Sequence, residues 1–346
     1  MSKRSFGTLS DGTVVNLYTI SNSKGMEVAI SDYGANVVSI LVEDKDGNKR
    51  DVILGFDDAA GYEASGSYFG ATVGRNCNRI SDAKIVIDGT EYALEKNDRG
   101  NNLHSGSKGL SRVMWSVKEQ LPNRLILSYY SPDLEEGYPG NATIEVTFEV
   151  TENNDFSIHY YAVSDKKTIF NMTNHCYFNL SGHTSGPVFD QELMIKAYAY
   201  TPVKSELSIP TGEILELEGT PFDFRTPKPI GRDIHADHVQ IGYSKGYDHN
   251  YAIAKETEGM ETVARAYSPE SGIEMEVITD TIAIQLYTAN TMTEVGKGKH
   301  VYPNYGAFCL ETQYFPNAIN EPNFVTPLFD AGQPYTSDTI YHFSIR

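Results

Sequence analysis

The chain has 346 residues, 40% hydrophobic and 21% charged, an ordinary globular balance with length enough for a large core. Lys plus Arg number 28 against 46 Asp plus Glu, giving a formal net charge of −18. That excess of acid argues against nucleic acid and anionic membrane surfaces as partners, because both are recognised through basic patches.

Residues 1–7 carry positive charge, but no apolar run follows, so no secretion signal is predicted. Period-2 alternation then dominates. It predicts strands over residues 14–20, 26–31, 36–42, 84–87, 112–118, 124–130, 142–150, 156–163, 192–196, 273–279, 282–288 and 339–345. The clearest is 142–150, where Ile144, Val146 and Phe148 alternate with Thr143, Glu145, Thr147 and Glu149, as in a strand with one buried and one wet face. Turn pairs such as Asp11-Gly12, Asp88-Gly89 and Ser271-Gly272 punctuate the runs. Helical periodicity is confined to 57–63 and 229–238. There is no βαβ alternation, no Walker sequence and no GxGxxG after a strand, which disfavours Rossmann and TIM architectures.

Strands spread evenly from end to end, so the expected fold is all-β: one large antiparallel β-sandwich with long loops and few short helices. Residues 1–346 are expected to form a single domain, a break being least damaging near 181–187. No window approaches the ~18 apolar residues of a membrane span. Cys77, Cys176 and Cys309 are odd in number and widely spaced, which predicts a reducing, cytoplasmic setting rather than a disulfide framework. Without a secretion signal, the sequons at Asn141, Asn171 and Asn179 read as chance matches.

Polar side chains of catalytic type concentrate in five stretches. Gly74-Arg75-Asn76-Cys77-Asn78-Arg79 offers directed donors for hydroxyl-rich ligands, although, taken alone, a surface loop with an ordinary salt bridge explains it better. Gly100-Asn101-Asn102-Leu103-His104-Ser105-Gly106 sets a histidine in a polar loop. In 171–182, read as a strand, His175, Tyr177 and Asn179 share a polar face opposite Cys176, Phe178 and Leu180. Gly246-Tyr247-Asp248-His249 pairs a carboxylate with an imidazole beside aromatics. Finally, Glu311 stands in the apolar and aromatic run 308–317, where desolvation disfavours its ionised form and a partner or a function must retain it. Metal motifs fail: His-Glu-x-x-His and Cys-x-x-Cys are absent, and His235 and His238 read as part of a solvated acidic helix. A Gly-x-Ser-x-Gly nucleophile elbow is absent too.

Taken in order, Asn78-Arg79-Ile80, Leu103-His104-Ser105-Gly106, 173–182, Tyr247-Asp248-His249 and Leu310-Glu311-Thr312-Gln313 resemble the motifs of the aldose 1-epimerase (galactose mutarotase) family. Leu54-Gly55-Phe56, Gly137-Tyr138-Pro139-Gly140, Phe222-Asp223-Phe224-Arg225 and 285–290 support the match, which runs from about residue 30 to about residue 345. The resemblance implies a supersandwich with a sugar site in an open cleft. It also implies interconversion of the α and β anomers of free aldoses such as galactose and glucose, without metal or cofactor. By position, His175 resembles the family's general acid and Glu311 its general base, with His104 alongside. Asn78, Arg79, His104, Tyr177, Asp248 and Gln285 resemble its sugar-binding residues. Ser105 stands where Gly is common and Cys77 where a small residue such as Ala is usual; both bear on pocket shape and so on the preferred sugar.

The chemistry agrees with these roles. Opening a hemiacetal needs one group to take the C1 hydroxyl proton and another to protonate the ring oxygen, with roles reversed on closing. The partner is then a neutral small sugar, and the chain a monomer or homodimer. Three other readings stand beside this one: a glycoside hydrolase built on Asp248 and Glu311, a non-catalytic sugar-binding module, and a hexose-phosphate epimerase. The last would want a cationic cluster that the −18 chain does not display.

Overall fold

The computed structural model describes residues 2–346; residue 1 of the N-terminal stretch and of the expected 1–346 domain lies outside the described residues. The fold is the expected all-β sandwich. A five-stranded antiparallel sheet runs in sequence order through Ser2–Thr8, Val14–Ser21, Glu27–Ser31, Val37–Glu43 and Lys49–Asp51. A nine-stranded sheet follows the order Ser116–Leu121, Arg124–Ser131, Ala142–Val150, Asp155–Ser164, Tyr335–Ile345, Ile273–Thr279, Glu261–Tyr267, Glu192–Ile195, Lys228–Pro229. A second five-stranded sheet is ordered Leu215–Glu216, Ala197–Thr201, Asp248–Ile253, Ala283–Tyr287, Cys309–Gln313. Among the described residues, the α-helices are two six-residue pieces, Ala59–Ala64 and Val239–Ser244.

The alternation read in 142–150 is realised: every odd member of Ala142–Val150 is buried and every even one is partly or fully exposed. Its inner face joins one apolar cluster with Tyr18, Val28 and Ile40 of the first sheet and Tyr251, Ile284 and Leu310 of the third. Phe148, Phe156 and Tyr341 stack through this core at centroid spacings of 6.0 and 6.4 Å. Burying such aromatics contributes on the order of 2–3 kcal/mol each and fixes how the sheets face one another.

Three expectations are corrected. The helix read over 229–238 is a 3₁₀ turn at Ile230–Arg232; the helix begins at Val239, and His238 is its cap, Nδ1 accepting from the Gln240 N–H at 3.3 Å. His235 and His238 therefore do not share a helical face. The strand read over 112–118 starts at Ser116, because Leu110–Arg112 form a turn whose Arg112 donates to the carbonyls of Tyr62 and Glu63 at the end of Ala59–Ala64. The strand read across 171–182 stops at His175, after which the backbone pairs only through single bridges at Phe178.

Arg75, expected among ligand-binding donors, is instead a structural anchor. It is 2% exposed and donates to Ser131 Oγ and to the carbonyls of Ser131, Pro132, Pro139 and Gly140 at 2.7–3.2 Å. Burial brings its pKa down to about 10, so the guanidinium stays charged at neutral pH. Arg75→Ala strands those carbonyls in the interior. The expected loss is about 3–5 kcal/mol, read as a lower urea midpoint at unchanged slope.

Candidate active site

Short paired segments carry the site to one end of the third sheet. Ala71–Val73 pairs with Thr173–His175, and Arg79–Ile80 pairs with Asn102–Leu103. In the sheet itself, Asn250 lies opposite Gln285 and Gln285 opposite Glu311, while Asp248 lies opposite Tyr287 and Tyr287 opposite Cys309. Left-handed backbone at Asn78 (φ 58°) and His104 (φ 53°) turns these two loops together. The Asn78 N–H donates to His104 Nδ1 at 3.0 Å, and the His104 N–H donates back to the Asn78 carbonyl at 3.1 Å.

The result is a cavity of about 490 Å³, a size that suits a small-molecule ligand. Asn78, Arg79, His104, His175, Tyr177, Asp248 and Glu311 all line it, with Tyr68, Tyr243 and Tyr287 as aromatic walls. Gln285, the eighth residue expected, does not line it. Gln285 lies behind Asp248, its Nε2 donating to Asp248 Oδ1 at 2.6 Å. Asp248 Oδ2 is 3.7 Å from Arg79 Nη1, and Arg79 Nε donates to Asp98 Oδ2 at 2.8 Å. Burial works to lower the Arg79 pKa, but Asp248 and Asp98 outweigh it and hold the group above its ordinary value. The cation is thus fixed between two carboxylates.

Other expectations move. Asn179 does not share a polar site face with His175. Its side chain is an internal bracket that donates to the Gly186 and Gly306 carbonyls and accepts from Gln191 Nε2. His249 is fully buried behind the sheet beside Gln240, away from the cavity that its neighbour Asp248 lines. Ser105 and Cys77 do not shape the pocket directly: Ser105 Oγ is engaged with the backbone of Asn76, and Cys77 Sγ donates to Gln313 Oε1 at 3.3 Å. All three cysteines are buried and free. Tyr68, Asp98, Tyr243 and Tyr287 are site residues that sequence reasoning passed over. Tyr68 sat in a Gly/Ser loop with no pattern to mark it.

His175 Nε2 stands 3.5 Å from Glu311 Oε1, and both residues are buried. Burial raises the Glu311 pKa to about 8; Asp248 reinforces that shift and Arg79 opposes it. Burial lowers His175 to about 4, against an upward push from its own backbone and from Asp248. Between those values the pair holds a single proton, and burial favours it on Glu311, which leaves both groups uncharged. Burial also keeps His104 well below its ordinary pKa, with His175 and Arg79 adding to the effect, so its imidazole is neutral. Since His104 Nδ1 accepts a backbone N–H, the proton sits on Nε2 and this residue offers a donor. Glu311 Oε2, His175 Nδ1 and Gln285 Oε1 are buried with no hydrogen-bond partner among the described residues. Of these residues His175 and Glu311 line the cavity, and their unpartnered atoms call for a ligand rich in hydroxyls.

His104, His175 and Glu311 bring possible metal-ligand atoms within 4.8 Å of one another. A metal-bound imidazole donates its second N–H outward, whereas His104 accepts there and keeps its proton on Nε2. The trio therefore fits proton handling and does not fit a cation.

A β-sandwich with a polar cleft, aromatic walls and a buried one-proton acid/base pair defines a carbohydrate-processing class of site. A family model described as Aldose 1-epimerase matches residues 16–342. The galactose mutarotase of Rattus norvegicus is 38% identical over 343 residues, covering 98% of this chain and 97% of that protein. The aldose 1-epimerase of Escherichia coli (strain K12) is 33% identical over 336 residues, covering 96% of each. Among solved structures, a GalM/aldose epimerase homologue from C. elegans superposes with a TM-score of 0.89 at 30% identity, covering 96% of this chain and 99% of that one. The galactose 1-epimerase of Lactobacillus acidophilus NCFM gives 0.86 at 26% identity, covering 99% and 98%. The chain belongs to the aldose 1-epimerase family.

Proposed function

We propose that this enzyme is an aldose 1-epimerase, which interconverts the α and β anomers of free aldoses such as galactose and glucose by acid/base ring opening and closure. The observation that carries the reading is the His175–Glu311 pair, 3.5 Å apart in a hydroxyl-binding cavity and sharing one proton at neutral pH. The sugar's hydroxyls hydrogen-bond to Glu311, favour its carboxylate and move the proton to His175. Glu311 then takes the proton from the C1 hydroxyl as C1=O forms. The C1–O5 bond breaks and His175 protonates O5. Rotation about C1–C2 presents the other carbonyl face, and closing reverses both transfers. After opening, the proton rests on Glu311 and His175 is neutral, the state that burial favours.

Asn78, Arg79, Asp248 and Tyr177 hold the remaining hydroxyls, and the His104 Nε2–H stabilises negative charge developing on oxygen. Gln285 acts by fixing Asp248. Asp248, held by Gln285 and Arg79, is better suited to accept hydroxyl hydrogen bonds than to serve as the second carboxylate of a hydrolase. Arg79, neutralised by two carboxylates, is a poor phosphate ligand. Among the described residues no helix is long and apolar enough to cross a membrane. The buried free cysteines suit a reducing cytoplasm, and the continuous core suits a single domain. Polarimetry of freshly dissolved α-galactose, α-glucose, xylose and arabinose tests the reading: acceleration of at least one is expected, and acceleration of none would leave a binding module.

A further inference from the structure

A histidine that moves protons is normally held by a hydrogen bond to its second ring nitrogen. His175 has none: Nδ1 is buried without a partner in any other described residue. Its ring is nevertheless fixed. Tyr177 stacks on one side at 4.9 Å and 13°, and Tyr68 lies near-parallel to it at 6.1 Å and 17°. Tyr68 also meets His104 edge-on at 4.7 Å, so one ring neighbours both site imidazoles.

The backbone is shaped to place that ring. Tyr68 has φ 57°, an outlier for a bulky aromatic, and such conformations persist where the surroundings impose them. Here they do. Ser65 and Ser67 both donate to Glu294 Oε1 at 2.7 Å, and the Ala71 N–H donates to the Tyr68 carbonyl at 3.1 Å. Gly70 packs so closely on Val37 that a Cβ would come 1.9 Å from its carbonyl oxygen. The Arg112 guanidinium sits 5.9 Å from the Tyr68 ring centroid, itself tied to the carbonyls of Tyr62 and Glu63. Tyr68 is also the shared wall between the sugar cavity and a neighbouring surface hollow lined by Tyr33, Asn97, Lys108 and Arg112.

We propose that Tyr68 is a positioning residue for the epimerase reaction: with Tyr177 it clamps the His175 ring in the plane that aims Nε2 at Glu311, and it closes that ring off from water. Its π face also meets the imidazolium that forms when His175 holds the proton. The inference rests on the function proposed above. The groups facing His175 are Glu311, His104, Asp248, Arg79, Tyr177 and Tyr68, with Arg112 beyond Tyr68.

The test compares Tyr68→Phe, Tyr68→Leu and Tyr68→Gly, with folding checked by circular dichroism. Phe keeps the ring and should lose far less kcat than the other two. Leu keeps bulk without a π face, and Gly accepts the positive φ without strain. Both should lower kcat about 10–100-fold with little change in KM. As water reaches His175, its titration, followed by NMR without sugar, should move up from about 4 toward its ordinary value near 6.5. Unchanged kcat and unchanged titration in Leu and Gly would overturn the proposal, as would a Phe variant as impaired as Leu. If the wild type mutarotates no aldose, the function is at fault, and the NMR titration still decides the role of Tyr68.

Discussion

Glu311→Gln is expected to lower kcat for mutarotation by about 10²–10⁴-fold, the range for loss of a positioned acid/base group. The amide is isosteric and can still hydrogen-bond a sugar, so KM should change little. The same substitution should make the protein more stable. The folded pKa of Glu311, about 8, lies above the ordinary value of 4.5. Relative stability from this group is therefore complete below about pH 4.5 and is lost as pH rises toward 8, because the fold must hold a proton that the unfolded chain releases. At pH 7 the cost is on the order of 3 kcal/mol, and Gln removes it. Activity by polarimetry and melting temperature at pH 5 and pH 8 check both halves. The melting-temperature gain should be larger at pH 8. A Gln variant with near-wild-type kcat, or one destabilised at pH 8, would contradict the role given to this buried carboxylate.

His175→Asn should be as damaging, about 10²–10⁴-fold in kcat, because no group remains to exchange a proton with the ring oxygen. Its stability signature has the opposite pH sense. His175 is held neutral in the fold at a pKa of about 4, below the ordinary 6.5. The unfolded chain therefore takes up a proton first as pH falls, and this residue makes the wild type progressively less stable from about 6.5 down to about 4. Asn cannot titrate, so the variant should lose less stability than the wild type over that window. Urea unfolding at pH 7 and pH 4.5 measures it. Retained kcat would show that the proton reaches the ring oxygen another way.

The sandwich was legible where one sheet face is dry and the other wet, as in 142–150, because alternation is the direct imprint of that environment. It was illegible where the site itself sits. Asp248–Ile253 is a true strand, yet its polar residues Asn250 and His249 are buried, so hydrophobic periodicity could not mark it. Ser2–Thr8 and Glu261–Tyr267 are carried by pairing with neighbours rather than by their own pattern. Glu311 stood out because a carboxylate in an apolar run is costly, and its raised pKa is the physical form of that cost. Gln285 was placed among sugar-binding residues by resemblance; its register opposite Glu311 puts it on the same face of the sheet, where its Nε2 holds Asp248. Arg75 and Arg79 sit four residues apart and look alike in the sequence; only the surroundings separate an anchor of carbonyls from a cation in the cleft. Tyr68 left no trace, since its role comes from an unusual backbone angle and from rings distant in the chain.

The most direct test of the one-proton pair is the pH dependence of kcat/KM for fresh α-galactose, followed by polarimetry with the spontaneous rate subtracted. Below about pH 4 His175 gains a second proton for the pair and no base remains; above about pH 8 Glu311 loses the last one and no acid remains. The expected profile is a plateau between those limbs with a fall on each side. A profile with a single limb, or one still level a full unit beyond both values, would contradict a mechanism in which Glu311 and His175 share the transferred proton.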